Sequence, residues 1–168
     1  GKTHLAKWLE KVEEIWQEIR GEKLEKMSIY DRIDYQHLLT NQNPSAKYIV
    51  VYLRSGTHLA SCVIDNEYWR SKSMLRKPVI IESTLYRYFT NNEDEAYYLT
   101  AIFNSSILDE LIKPMQSKGF AGVERDIHKK PLEFPIPKFD TSDELHMKLA
   151  ELGKKASEKT HNEFLEKL

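Results

Sequence analysis

The stretch QSKGFAGVERDIHKKPLEFPIPKFD, residues 116–140, carries the densest set of side chains suited to holding a polyanion. Together with Lys113 just upstream it offers Lys118, Arg125, Lys129 and Lys130 as cations. Gly119 and Gly122 are points where a backbone can come close to a ligand. Gln116, Arg125 and His128 can hydrogen-bond base edges or phosphates; arginine pairs bidentately with guanine and glutamine with adenine. The lysines suit the phosphate backbone, which sets register and makes affinity salt-dependent. Asp126 follows Arg125 and is placed to orient its guanidinium. The residues leave an alternative open: a solvated loop in which Arg125 and Asp126 form an ordinary local pair.

Two other stretches suit the same chemistry. Arg54-Ser55-Gly56-Thr57 offers a cation, two hydroxyls and a glycine at a turn, and reads equally as a plain turn. Residues 66–77 interleave Tyr68 and Trp69 with Arg70, Lys72, Arg76 and Lys77. Aromatics among cations suit base stacking and phosphate contact, although Trp69 fits a core as well. Other chemistries lack their residues. The six histidines form no i,i+4 pair and have no cysteine neighbour, so no zinc site is expected. No Glu-x-Lys or Asp-x-Lys exists for a metal-dependent nuclease strand, no Gly-x-Ser-x-Gly for a hydrolase, and no Gly-x-Gly-x-x-Gly for a dinucleotide or S-adenosylmethionine. The segment is therefore expected not to be an enzyme on its own, with no catalytic residue, metal or cofactor. Gly1-Lys2-Thr3 lacks the strand and glycines of a phosphate-binding loop.

The elements that must position these residues read as a mixed set. Leu5, Trp8, Leu9, Val12, Ile15, Trp16 and Ile19 make one apolar helical stripe ending near Gly21, and two tryptophans on it predict packing against a partner element. Tyr48–Leu53 and His58–Ile64, around Ser55-Gly56, predict a hairpin. Residues 78–82 and 85–89 are two more strand candidates, with 66–77 a loop between them and the hairpin. Asn91 or Asn92 followed by Glu93, Asp94 and Glu95 marks a helix start, with Ala96, Leu99, Ile102 and Phe103 on one face. Asn104-Ser105-Ser106 breaks it, and a short helix follows to Ile112, before Pro114. Leu132, Phe134 and Ile136 alternate between prolines and predict a docked edge strand. Ser142 or Asp143 caps a last helix whose stripe is Leu145, Leu149, Leu152 and Ala156.

The fold class is thus α+β: a small, mostly antiparallel sheet with packed helices and amphipathic helices at both termini. The expected division is 1–26 (N-terminal helix), 27–140 (recognition domain) and 141–168 (C-terminal helix), the whole being a segment of a larger protein. Hydrophobic content of 40% in 168 residues supports a real core. The net charge of −1 excludes a uniformly basic nucleic-acid binder but hides local fields. Residues 91–112 carry five acids and no base, whereas 66–90 hold five bases against two acids and 113–138 six against three, +3 each. The single cysteine, Cys62, is expected as a reduced core thiol, and the absence of a disulfide framework favours a cytoplasmic location. No apolar run approaches the roughly 18 residues that span a bilayer.

The order YYLTAIFNSSILDELIKPMQSKGFAGVERDIHKKPLEFPIPKFD resembles the C-terminal target-recognition (TaqI-like specificity) region of large adenine-specific DNA methyltransferases of restriction-modification type. The resemblance rests on Ala101-Ile102-Phe103-Asn104-Ser105 as a helix ending in a Leu-Asn-Ser-like break. A glycine-containing basic segment follows, and then Pro135-Ile136-Pro137 as a Pro-Ile-Pro-like motif. Residues 31–44 and the SGTHLASCVID stretch are similar too, so it covers roughly residues 27–153. It implies a module that reads duplex DNA while a catalytic methyltransferase domain of the same parent chain, upstream, flips and methylates an adenine with S-adenosylmethionine. That domain's Asn-Pro-Pro-Tyr-like motif is not in this sequence; Asn43-Pro44 continues as Ser45-Ala46. By position the resemblance carries over Lys118, Gly119, Arg125, His128 and Lys129 as DNA-facing. The competing expectation is a non-catalytic protein-interaction module that docks a partner subunit through its terminal helices.

Overall fold

The computed structural model describes residues 2–117 and 126–166. Among them are six α-helices and one three-stranded antiparallel sheet, an α+β fold with a helix near each end. The chain divides into two compact units, residues 1–42 and 43–168.

In the first unit, helix α1 (Lys2–Ile19) carries the apolar stripe, yet none of its residues is buried. Trp16 is half-buried and its indole N–H donates to Met27 O at 2.8 Å, which folds the following segment back along the helix. Trp8 is 56% exposed, so the packing expected of both tryptophans is made by one. Helix α2 (Ile29–Ile33) starts in a full capping box, Ser28 and Asp31 satisfying each other's backbone N–H groups.

The second unit is built on strand β1 (Tyr48–Leu53), the middle strand of the order β2-β1-β3. Strand β2 is Ser61–Asp65 and β3 is Leu85–Thr90, both antiparallel to β1. Ile49, Val50, Val51 and Tyr52 are all buried, which explains why this run is continuously apolar rather than alternating: both faces are covered. Val50 and Tyr52 meet Ala96, Phe103, Leu108, Ile112 and Ile127 on one face. Ile49 and Val51 meet Ile81 and Val79 on the other. Burying each such side chain contributes roughly 1.5–3 kcal/mol.

Helix α3 (Asn66–Lys72) occupies the predicted 66–77 loop. It has no apolar stripe to announce it; Tyr68 and Trp69 are half-exposed and its cap is the Asp65 carboxylate, accepting from Tyr68 N–H at 2.9 Å. Asn66 is the buried member of α3. Its amide donates to Pro44 O and Ala46 O and accepts from Val79 N–H, tying two other chain segments to one side chain. Residues 78–82 are not a strand; held by that bond, they lie as irregular chain over the second face of the sheet.

Helix α4 (Glu93–Phe103) begins as expected, Asn92 Oδ1 accepting from Asp94 and Glu95 N–H. Asn104 ends it, and its side-chain amide pairs both ways with the backbone of Ser61, at 2.8 and 2.9 Å, in the manner of a neighbouring strand. Ser105 then caps α5 (Ser106–Ile112). The predicted edge strand at Leu132–Ile136 is instead a 3-10 turn (Lys130–Glu133) followed by irregular chain. Pro131, Pro135 and Pro137 remove three donors, and Ile136 N–H turns back to Phe134 O. Phe134 and Ile136 still pack on the core.

Helix α6 (Glu144–Leu165) packs along α4 through His146, Ala150 and Gly153, not through the predicted leucine stripe. The contact face is turned by one residue, about 100°, and Leu145 and Leu152 stay exposed. The reason is closeness. A Cβ built on Gly153 would lie 2.4 Å from Tyr97 O and 3.1 Å from Ala101 Cβ, a gap no leucine fits. Cys62 is exposed on β2 rather than buried in the core.

Candidate nucleic-acid interface

At the end of the sheet where β1 gives way to the loop 54–60, a second segment, residues 126–130, is fastened alongside. Ile127 is the anchor: it is fully buried in the main core, and a Cβ built on Gly56 would lie 3.7 Å from its Cδ1. Ser55 and Asp126 form an isolated antiparallel bridge, His128 N–H donates to Arg54 O at 2.8 Å, and the Tyr52 hydroxyl donates to His128 O at 3.0 Å. Burial pushes the Tyr52 phenol up, so it remains a donor. These bonds hold His128 at φ 47°, the left-handed region that bulky residues rarely occupy.

The side chains then settle around one another. Arg54 Nε donates to His128 Nδ1 at 3.3 Å, and Arg54 Nη1 reaches Ser83 O at 3.5 Å. With Nδ1 accepting, the neutral His128 ring carries its proton on Nε2, which faces Asp126 Oδ1 at 3.7 Å. The Ser117 hydroxyl bonds the Asp126 carboxylate and holds it below the usual carboxylate range; burial opposes this, and His128 and Lys130 assist. Lys130 Nζ donates to Asp126 O at 2.7 Å. Lys129, Ser55 and Thr57 are exposed.

Gln116, predicted to read base edges, is buried instead: its amide donates to Gly56 O at 3.3 Å, which makes it a brace beneath the loop. Lys113 sits on the other flank of the loop, 3.7 Å from Asp109. Asp109 Oδ1 accepts from Leu59 N–H at 2.7 Å and its Oδ2 bonds His58 Nδ1 at 2.8 Å. Burial works to raise the Asp109 pKa, but those two bonds and the Lys113 charge outweigh it and hold the carboxyl low. Lys118, Gly119 and Arg125 lie outside the described residues.

The structure thus brings Arg54, Ser55, His128, Lys129 and Lys130 together, with Lys113 near the same loop. It does not bring Arg70 and Lys72 to them. Helix α3 leaves β2 at Asp65, the end opposite the loop. There Arg70 donates to Pro44 O at 3.1 Å and Lys72 lies over the Tyr68 ring at 5.7 Å. His58, Asp109, Ser117 and Ile127 join the site without any motif to mark them in the sequence. Only Ile127, an apolar residue inside a polar run, gave a local signal; His58 and Asp109 are 51 residues apart. The Ser55-Gly56 turn is a loop of seven residues, and Gly56 has no positive φ. Among the described residues no group of three or more His, Cys, Asp or Glu is arranged to hold a metal ion, and no helix is long and apolar enough to cross a membrane. No protein-family model, curated protein or solved structure matches the chain.

Proposed function

We propose that this chain is a DNA-binding target-recognition module of an adenine-specific DNA methyltransferase from a restriction-modification or phage-defence system. Its partner is double-stranded DNA. Methylation, with S-adenosylmethionine, belongs to a catalytic domain elsewhere in the parent chain, and this segment performs no catalysis of its own. One observation carries the reading: Arg54, His128, Lys129 and Lys130 meet on one rim of the sheet, joined by main-chain bonds to a buried Ile127. A surface that reads DNA needs cations and donors on a rigid support, because ordering them at the moment of binding costs affinity.

The test is fluorescence anisotropy with mixed-sequence duplex DNA across a salt titration. Affinity should fall steeply with salt, and Lys129→Ala should flatten the log–log slope by about 1. Arg54→Ala removes a cation and the His128 partner together and should weaken binding more than Lys129→Ala. A folded chain that binds no DNA at low salt rejects the reading. A second reading, docking of a partner protein, has its own observation: Leu5, Trp8, Ile15 and Ile19 leave an exposed apolar stripe on α1. Salt-insensitive capture of a partner domain, lost in Trp8→Glu, would favour it.

A further inference from the structure

The loop 54–60 has two flanks. Arg54 and Ser55 face residues 126–128. His58 and Leu59 face α5, where Asp109 binds both. The Asp109 side chain is only 15% exposed and each of its oxygens has a partner, so it is spent on positioning. The His58 side chain, in contrast, is 74% exposed. Its Nδ1 carries the proton donated to Asp109, which leaves Nε2 as a basic nitrogen turned to solvent. Lys113 Nζ stands 3.5 Å from Nδ1 of the same ring and 3.7 Å from Asp109 Oδ2, on the carboxylate side of His58. Among the described residues, the charged groups facing His58 are therefore Asp109 and Lys113, both from the α5 side. With His58 neutral they cancel; with His58 protonated the cluster carries one net positive charge.

We propose, resting on the DNA-binding reading above, that His58, positioned by Asp109 and flanked by Lys113, forms a second phosphate contact that is completed when it takes up a proton. The phosphodiester oxygen accepts from Nε2–H while Nδ1–H stays on Asp109, so the ring bridges a fixed carboxylate and a mobile phosphate. Binding draws one proton from solution, with no covalent change. His128 does not serve in the same way. Its Nδ1 accepts from Arg54 Nε, so a second ring proton would break that bond, whereas the second proton of His58 goes to Nε2 and leaves the bond to Asp109 intact.

The experiment uses the full chain, mixed-sequence duplex DNA and salt titrations by anisotropy at pH 5.5 and pH 8. One added phosphate contact steepens the log–log salt slope by about 0.9, or about 3.5-fold more affinity lost over a fourfold rise in salt. That increment should appear at pH 5.5 only, disappear in His58→Gln, and persist in His128→Asn. NMR supplies the second readout: saturating DNA should raise the pH midpoint of the His58 ring protons. Asp109→Asn, which keeps an acceptor for Leu59 N–H, should shrink that rise. Salt-dependent binding whose pH increment survives His58→Gln, or a His58 midpoint unmoved by DNA, overturns the inference while leaving the recognition reading standing. Absence of binding at both pH values overturns both.

Discussion

Replacing Gly153 by alanine sets two physical effects of opposite sign against each other. In a helix interior, glycine to alanine stabilises by about 1 kcal/mol, because alanine loses less conformational freedom. Packing says the reverse. The new methyl carbon would lie 2.4 Å from Tyr97 O. That carbonyl cannot swing away, since it belongs to the interior of α4, which spans Glu93–Phe103. The methyl also meets Ala101 Cβ at 3.1 Å. Relief requires α4 and α6 to part, and a gap of about 0.5–1 Å already forfeits a quarter to a half of each dispersion contact across it. Overpacking of this kind costs roughly 1–3 kcal/mol, more where backbone is struck. The expected net result is a destabilisation of about 1–2 kcal/mol, or roughly 2–8 °C in Tm for a chain of this size. Urea and thermal unfolding followed by circular dichroism measure it. A variant that melts higher than the parent would show that propensity outweighs contact, and the close helix approach would be refuted.

Three other outcomes follow from the same geometry. Asn66→Ala should cost about 2–4 kcal/mol in urea unfolding, because it strands Pro44 O, Ala46 O and Val79 N–H together; a loss below about 1 kcal/mol would mean water replaces the amide without penalty. Asn104→Asp should destabilise more than Asn104→Ser, since a carboxylate accepts from Ser61 N–H but cannot donate to Ser61 O; equal melting points would contradict this. Asp109 is held below the ordinary aspartate range near 4, so its contribution is complete above that pH and is lost as pH falls through its lower folded value. The stability gap between the parent and Asp109→Asn should therefore narrow between pH 6 and pH 3, and a gap constant across that interval would exclude the mechanism.

What could be read from the residues alone was the part governed by local signals. The apolar run at 48–53, the acids and asparagine before α4, and the capped start of α6 each carry their cause within a few positions. What could not be read depends on distant partners. Residues 66–72 form a helix with Asp65 as cap and no buried face to betray a period. The stripe Leu145, Leu149, Leu152 and Ala156 is the most apolar face of α6, but α4 selects the face that lets backbones approach, and that property belongs to the pair of helices. Gln116 has the chemistry of a base reader, and only the fold reveals that Gly56 O consumes its amide. The same holds in reverse for His58, unremarkable in sequence and paired with Asp109 in space.

The pairing of Asn104 with Ser61 has a consequence for crowded conditions. A strand rim with open N–H and C=O groups recruits other chains, and β2 is a rim of its sheet. Here both main-chain groups of Ser61 are already taken by an amide tethered to the same molecule. A tethered group competes at an effective concentration of order millimolar or more. An intruding strand at micromolar concentration meets a rival roughly a thousandfold more abundant. One asparagine side chain thereby does for that corner of β2 what a fourth strand would do.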